Sequence, residues 1–300
     1  MTAVLRIVRA SPLTTIQDEG RFGALAHGVA ASGPMDGEAF RLAGLVAGAG
    51  AGGIEFTRAG IEVQLVEGRC RVGFAGGAFS VAQNGGELDW PGSAELAAGQ
   101  RLSVTPGSWG NYGYIRFGGD LDVPLVMGSM ATNSRVALGG LGGRALVAGH
   151  HIRIIGEGKP PVTGSVATVP EEGPIRVVWG LHADRFSAAV RERFVGGDFR
   201  ISARLDRMGV RLEDPEGVFA QTRMLGLVSD AVVPGDIQIL GDGTPTVLMR
   251  DHQPTGGYPR IATVISADLD RLAQMRPGTA VAFRPVTVEH AQRLMRSRAR

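Results

Sequence analysis

Residues 252–260, HQPTGGYPR, gather an imidazole (His252), a carboxamide (Gln253), adjacent glycines (Gly256, Gly257), a phenol (Tyr258) and a guanidinium (Arg260). That set offers proton transfer, amide hydrogen bonding and stabilisation of developing negative charge within one short segment. The flanking runs TVLMR and RIATVI are apolar, so the segment reads as two strands joined by a polar loop longer than a hairpin needs. A second cluster, TTIQDEGRFG, sets Gln17, Asp18 and Arg21 around a turn. A third, GVAASGPMD, puts Ser32 beside a helix start at Pro34, where unpaired N–H groups favour an anion. A fourth, RLDRMGVRLE, carries Asp206 and Arg207 just before a glycine. His252, Tyr258, Arg260 and Asp206 are the candidate catalytic residues. Arg21, Asp18, Ser32, Arg207, Gln253, Gly256 and Gly257 are the candidate substrate- and anion-binding residues. Each cluster also has a structural reading: an Asp18–Arg21 salt bridge, a Ser32 helix cap, a solvated Asp206 turn, a Tyr258 packed on its own loop.

Other chemistries lack their signatures. There is no G-x-x-x-x-G-K-[ST] and no G-x-S-x-G, and the glycines of GLGGRALVAG do not sit in a strand–turn–helix context. His150 and His151 are adjacent, so on a strand they point to opposite faces; the other histidines are scattered, and no metal site is expected. Cys70 lies in the alternating run IEVQLVEGRCRVGF, which marks a sheet position rather than a nucleophile. Thirty-one basic residues against 29 acidic ones give a net charge of +2, and the excess sits in the final RLMRSRAR, expected to fray into solvent. With three Tyr and three Trp there is neither a basic stripe nor a stacking platform for nucleic acid. No long apolar run or leader is visible, so the expectation is a soluble, cytoplasmic chain that neither enters a membrane nor binds nucleic acid.

The elements that must hold these residues are mainly strands. GIEVQLVEG aligns Ile61, Val63 and Leu65 on one face, and GNYGYIRFGG, HHIRIIG, IRVVWG, DIQIL, PTVLMR, RIATVI and AVAFRPV are short, β-rich and bounded by Gly, Pro or Asp. Three helices are expected. The first follows SGPMD with Ser32 or Gly33 as cap, the second runs through HADRFSAAVRERFVGG burying Phe186, Ala189, Val190 and Phe194, and the third starts at Ser266 and ends before Pro277. The proline-rich GKPPVTGSVATVPEEG divides the chain into a β-rich part over 1–157, a linker over 158–173 and a second β-rich part over 174–300. The fold class is mainly β with a few short helices, each part barrel-like.

The ordered runs TTIQDEGRFG, GVAASGPMD, GGDLDVPLVMGS, LGGLGGRALVAGH, DRMGVRL, VVPGDIQI and HQPTGGYPRIATVISADLDRLAQMRPG resemble the biotin-dependent carboxyltransferase family. This family includes the C-type subunit of 5-oxoprolinase, allophanate hydrolase subunit 2 and a module of urea carboxylase. The resemblance implies two cyclophilin-like β-barrel subdomains and heteromeric assembly. A B-type subunit resembling allophanate hydrolase subunit 1, and an A-type subunit in bacterial 5-oxoprolinase, would join this chain to open the lactam of 5-oxo-L-proline to L-glutamate with ATP. ATP would be held here or by those partners. An alternative is carboxyl transfer to a urea-like amide from biotin carried on a partner, and another is a non-catalytic regulatory binding subunit. Relatives typically carry an aromatic where Ala24 stands and often an arginine at Met130. Both departures shift the expected site towards the second half and the partner.

Overall fold

The computed structural model describes residues 2–162, 172–222 and 227–298. The backbone forms two compact units, Met1–Phe22 with Ala31–Val169, and Gly23–Ala30 with Pro170–Arg300. Most of the expected linker, residues 163–171, lies outside the described residues. Its first residues belong to the first unit, where Lys159 N–H donates to the Gly48 carbonyl (2.8 Å) and Val162 N–H to that of Leu45 (3.0 Å).

In the first unit, the seven-stranded sheet runs Asp120–Leu121, His151–Ile155, Thr2–Ala10, Ile61–Glu67, Arg101–Pro106, Phe79–Gln83, Gly86–Leu88. A five-stranded sheet runs Thr15–Gln17, Gly53–Thr57, Tyr112–Phe117, Arg69–Gly76, Gly92–Ala97. All these pairings are antiparallel. The inward residues of both sheets, among them Leu5, Ile7, Ile61, Val63, Leu65, Val72, Phe74 and Ile115, share one apolar core. Ile61, Val63 and Leu65 do occupy one buried face. Tyr112–Phe117 is buried on both faces because the helix Gly37–Ala47 covers its outer side. That approach needs Gly73, where a Cβ would collide with the Ala43 carbonyl oxygen of the helix.

The second unit is built on an eight-stranded sheet in the order Ala280–Val281, Phe199–Leu205, Gly209–Glu213, Pro245–Leu248, Asp236–Ile239, Arg260–Val264, Ile175–Trp179, Phe283–Pro285. Its two edge strands are separated in the chain by Ala282 alone, so the sheet must curl until its edges nearly meet. Phe194, Phe199, Phe219 and Phe283 fill the curl; Phe194 stacks on Phe283 at 4.8 Å between ring centres.

The helices differ from expectation in informative ways. Neither Ser32 nor Gly33 caps the first: Ser32 is left-handed (φ 58°), and Asp36 caps Gly37–Ala47 by accepting from Ala39 N–H. The second helix spans only Ala188–Gly196, capped by Ser187, and buries Phe194; Phe186 is buried ahead of it, and Ala189 is exposed. Ser266–Gln274 forms as expected, but its first-turn acid Asp268 is fully buried and paired with Arg176 rather than decorating the helix dipole. Val288–Arg298 is a further helix, and it takes in residues 293–298 of the RLMRSRAR segment expected to fray. No described helix is long and apolar enough to cross a membrane.

Candidate functional site

The first unit gathers Asp18, Arg21 and Ser32 as anticipated, but as a brace. One Asp18 carboxylate oxygen accepts from Gly20 N–H (2.9 Å) and Ser129 Oγ (2.5 Å), and the other from Met130 N–H (2.7 Å). Arg21 is 1% exposed; its guanidinium donates to Ser32 Oγ (3.3 Å) and to the Ala131 carbonyl. Together they pin the irregular residues 126–132 to the turn at 18–21. Met130 is itself core, with its sulfur packed so tightly on Gly52 that a Cβ there would collide with it. An arginine at 130 would put a cation into this apolar contact, so the departure is matched by its surroundings. Nearby, fully buried Glu55 accepts from Met35 N–H (2.7 Å) and from the Tyr114 hydroxyl (2.9 Å), which in turn accepts from Asp36 N–H (2.8 Å). That network anchors the SGPMD turn through two residues the sequence motif does not contain.

The second unit holds the remaining candidates, with a topology the sequence concealed. Pro245–Leu248 and Arg260–Val264 are not hairpin partners; Asp236–Ile239 lies between them and pairs with both. The segment between them must therefore cross a strand end, which accounts for its length. On the way Thr255–Gly256 pairs with Asp230–Ala231 in a two-residue ladder.

Around this crossing the cations are already compensated. Arg207 Nε and Nη2 bond Asp251 at 2.8 and 3.1 Å, with both side chains at or below 5% exposed. Arg260, 8% exposed, bonds Asp230 (3.0 Å), Asp236 (3.3 Å) and the Ala231 carbonyl (2.7 Å). Asp236 also accepts from Thr263 Oγ1 (2.7 Å). Asp206 accepts from the N–H groups of Met208 (2.8 Å) and Gly209 (3.2 Å), shaping the Arg207 turn. Tyr258 stands 46% exposed at the rim.

His252 is buried, and its Nδ1 lies 2.6 Å from the Gln253 carbonyl. A carbonyl only accepts, so Nδ1 carries the proton and Nε2 keeps its lone pair. Burial pushes the imidazole pKa below its ordinary 6.5, keeping it neutral and basic at Nε2. His182, set aside in the sequence as one of the scattered histidines, accepts the Arg260 N–H at Nδ1 (3.2 Å). Its pKa is likewise lowered, first by burial and then by Arg260. Gln253 Nε2 donates to Gln238 Oε1 at 3.1 Å, joining a carboxamide from DIQIL to the motif. Gly256 is small for a reason: a Cβ there would collide with Gln238 Nε2.

Sequence reasoning thus located His252, Gln253 and Arg260 but missed Asp251, Asp236, Gln238 and His182. Asp251 stood beside His252, and Asp236 and Gln238 in VVPGDIQI; their strand-end positions were the available signal. Cys70 occupies the sheet position expected, its thiol pushed up to about 11, first by burial. Among the described residues no group of three or more His, Cys, Asp or Glu is placed to hold a metal.

Comparison with known proteins places this arrangement. Residues 27–285 match the model of the carboxyltransferase domain, subdomain A and B. The C-type subunit of 5-oxoprolinase from Escherichia coli is 33% identical over 96% of this chain and 93% of its own length. Urea amidolyase of Saccharomyces cerevisiae is 28% identical over 95% of the chain, which spans 17% of that protein. The crystal structure of Kluyveromyces lactis urea carboxylase superposes with a TM-score of 0.88 at 24% identity, covering 99% of this chain and 28% of the other, a likeness of fold. The chain belongs to the carboxyltransferase domain family, subdomain A and B.

Proposed function

We propose that the chain is the C-type subunit of an ATP-dependent 5-oxoprolinase, opening the lactam of 5-oxo-L-proline to L-glutamate together with B-type and A-type subunits. The observation that carries this reading is the end-to-end match to the C-type subunit of 5-oxoprolinase, 96% of one chain against 93% of the other. A relative of the urea amidolyase type favours a second reading, carboxyl transfer to a urea-like amide from biotin on a partner, but there the match occupies 17% of a much longer protein. Lactam opening needs the amide carbonyl activated and a proton delivered to the leaving nitrogen, whereas carboxyl transfer needs a proton removed from the amide nitrogen that attacks the carboxyl group; both move a proton at nitrogen.

His252 suits the proton step, because a neutral imidazole with a free Nε2 can take a proton from water or from nitrogen near pH 7. Arg207 and Arg260 do not suit a triphosphate, since Asp251, Asp230 and Asp236 already neutralise them. ATP is therefore assigned to the partner subunits, and this chain to holding the amide. The Arg260 network keeps the crossing segment against the strand end. Cyclophilin-like barrels, heteromeric assembly and a cytoplasmic location follow from the same reading.

The test is co-expression with the B-type and A-type subunits, followed by an assay of ATP-dependent glutamate release from 5-oxo-L-proline. Turnover is expected only in the assembled complex. An intact complex that releases no glutamate, yet carboxylates urea when supplied with carboxybiotin, would replace this reading with the second.

A further inference from the structure

The Gln238–Gln253 pair is hydrogen-bonded once where two facing carboxamides can bond twice. Gln253 Nε2 donates to Gln238 Oε1, while Gln238 Nε2 and Gln253 Oε1 are buried and without a hydrogen-bond partner among the described residues. Gln238 is 1% exposed. Flipping both amides would exchange the roles, but one donor and one acceptor would still be left over. Other orphaned buried atoms in the described residues are of a different kind. They include guanidinium Nε groups, as at Arg6, Arg250 and Arg260, and single oxygens at Gln17, Thr132 and Thr246. Among the described residues the glutamine pair alone offers a donor and an acceptor on side chains bonded to each other.

A buried donor and acceptor left side by side are costly to the fold, and native proteins seldom keep them without a use. Their natural complement is a group with a carbonyl and an N–H on one edge. A lactam is such a group: its ring holds the amide cis, so the oxygen and the N–H face the same way. The surroundings fit a neutral ligand edge. The nearby arginines are compensated by carboxylates and His252 is held neutral, while Gly256 packs directly on Gln238 Nε2, where a Cβ would collide, so that moving this one ladder residue uncovers the amide. The cover over the pair is slight, a ladder of two residues from each strand, Asp230–Ala231 on Thr255–Gly256.

Resting on the 5-oxoprolinase reading, we propose that Gln238 and Gln253 recognise the lactam edge of the substrate. Gln238 Nε2 donates to the ring carbonyl oxygen and Gln253 Oε1 accepts the ring N–H, with the Thr255–Gly256 ladder parting to admit it. Gln238 thereby becomes a specificity residue supplied by a strand outside the HQPTGGYPR motif.

The experiment compares, by calorimetric titration of the assembled complex, 5-oxo-L-proline with the lactone in which ring oxygen replaces N–H. The wild type is expected to prefer the lactam by roughly a hundredfold or more, because the lactone leaves Gln253 Oε1 unpaired. Gln253→Met should abolish most of that preference, and Gln238→Met should weaken both ligands alike. The double variant Gln238→Met/Gln253→Met removes both orphaned atoms and should melt no lower than wild type while losing the ligand. Equal wild-type affinity for lactam and lactone, or a preference that survives Gln253→Met, overturns the proposal. So does a double variant that melts well below wild type and still discriminates. Should the wild type bind neither ring, the 5-oxoprolinase reading falls, and urea, which carries the same carbonyl and N–H edge, becomes the probe. Urea binding unchanged in both single variants then overturns the amide pair, and its loss in both supports it.

Discussion

The two units use similar residues to opposite ends. In the first, Asp18 and Arg21 divide their hydrogen bonds among backbone groups and hydroxyls of residues 20, 32 and 126–132, so the charges serve as a clamp on irregular chain. In the second, Arg207 and Arg260 are matched carboxylate to guanidinium, and two neutral histidines and two carboxamides stand beside them. Charge satisfied by backbone dipoles fixes a loop. Charge cancelled by charge leaves neutral polar groups to do the reading of a ligand. The same residue types in a sequence therefore say little about which role they take until their partners are known.

The contrast can be broken most sharply at the ion pair. Arg207→Met leaves Asp251 buried without its counter-charge and is expected to cost about 3–5 kcal/mol. Arg21→Met strands neutral hydrogen-bond acceptors instead and should cost about 1–3 kcal/mol. Urea unfolding of the two variants measures the difference, and equal costs would erase the distinction between clamp and ion pair. Next in size, His252→Gln should lower glutamate release by the assembled complex about a hundredfold and remove the acidic limb of its pH profile. A variant that keeps both rate and limb would leave His252 a packing residue.

A smaller effect concerns pH and stability. His252 and His182 have folded pKa values below the ordinary 6.5, so on acidification the unfolded chain takes up protons before the folded one does. Stability contributed by the neutral imidazoles is complete above pH 6.5 and is lost as pH falls below it. Thermal melts from pH 7.5 to 5.5 should show the decline, and His252→Gln should flatten part of it. The smallest effect is expected at Cys70: Cys70→Ala should change stability by about 1 kcal/mol and leave activity intact. Slow alkylation of the native protein, against fast alkylation in urea, would show the thiol's protection directly.

Much of this was legible before any coordinates. Alternation in GIEVQLVEG and the β-rich runs of the second half identified strands, because a sheet with one buried face imposes a period of two. The HQPTGGYPR segment stood out because it carried more polar chemistry than a turn requires. Its length was misread: a linear sequence shows that two strands are separated by a loop, not that a third strand from earlier in the chain lies between them. Helix caps were misplaced for a related reason, since Asp36 takes the cap only once Glu55 and Tyr114 hold the preceding turn.

By itself the sequence determined the mainly β composition, the ordered family motifs, and the residues His252, Gln253 and Arg260, since these depend on local pattern and residue type. Tertiary structure alone decided their partners. Asp236, Gln238 and His182 reach the site from separate strands and loops, and hydrogen bonds between residues distant in sequence leave no periodic trace. It also decided which charges cancel and which polar atoms stay unpaired, because burial is a property of the packed sheet and not of any residue along the chain.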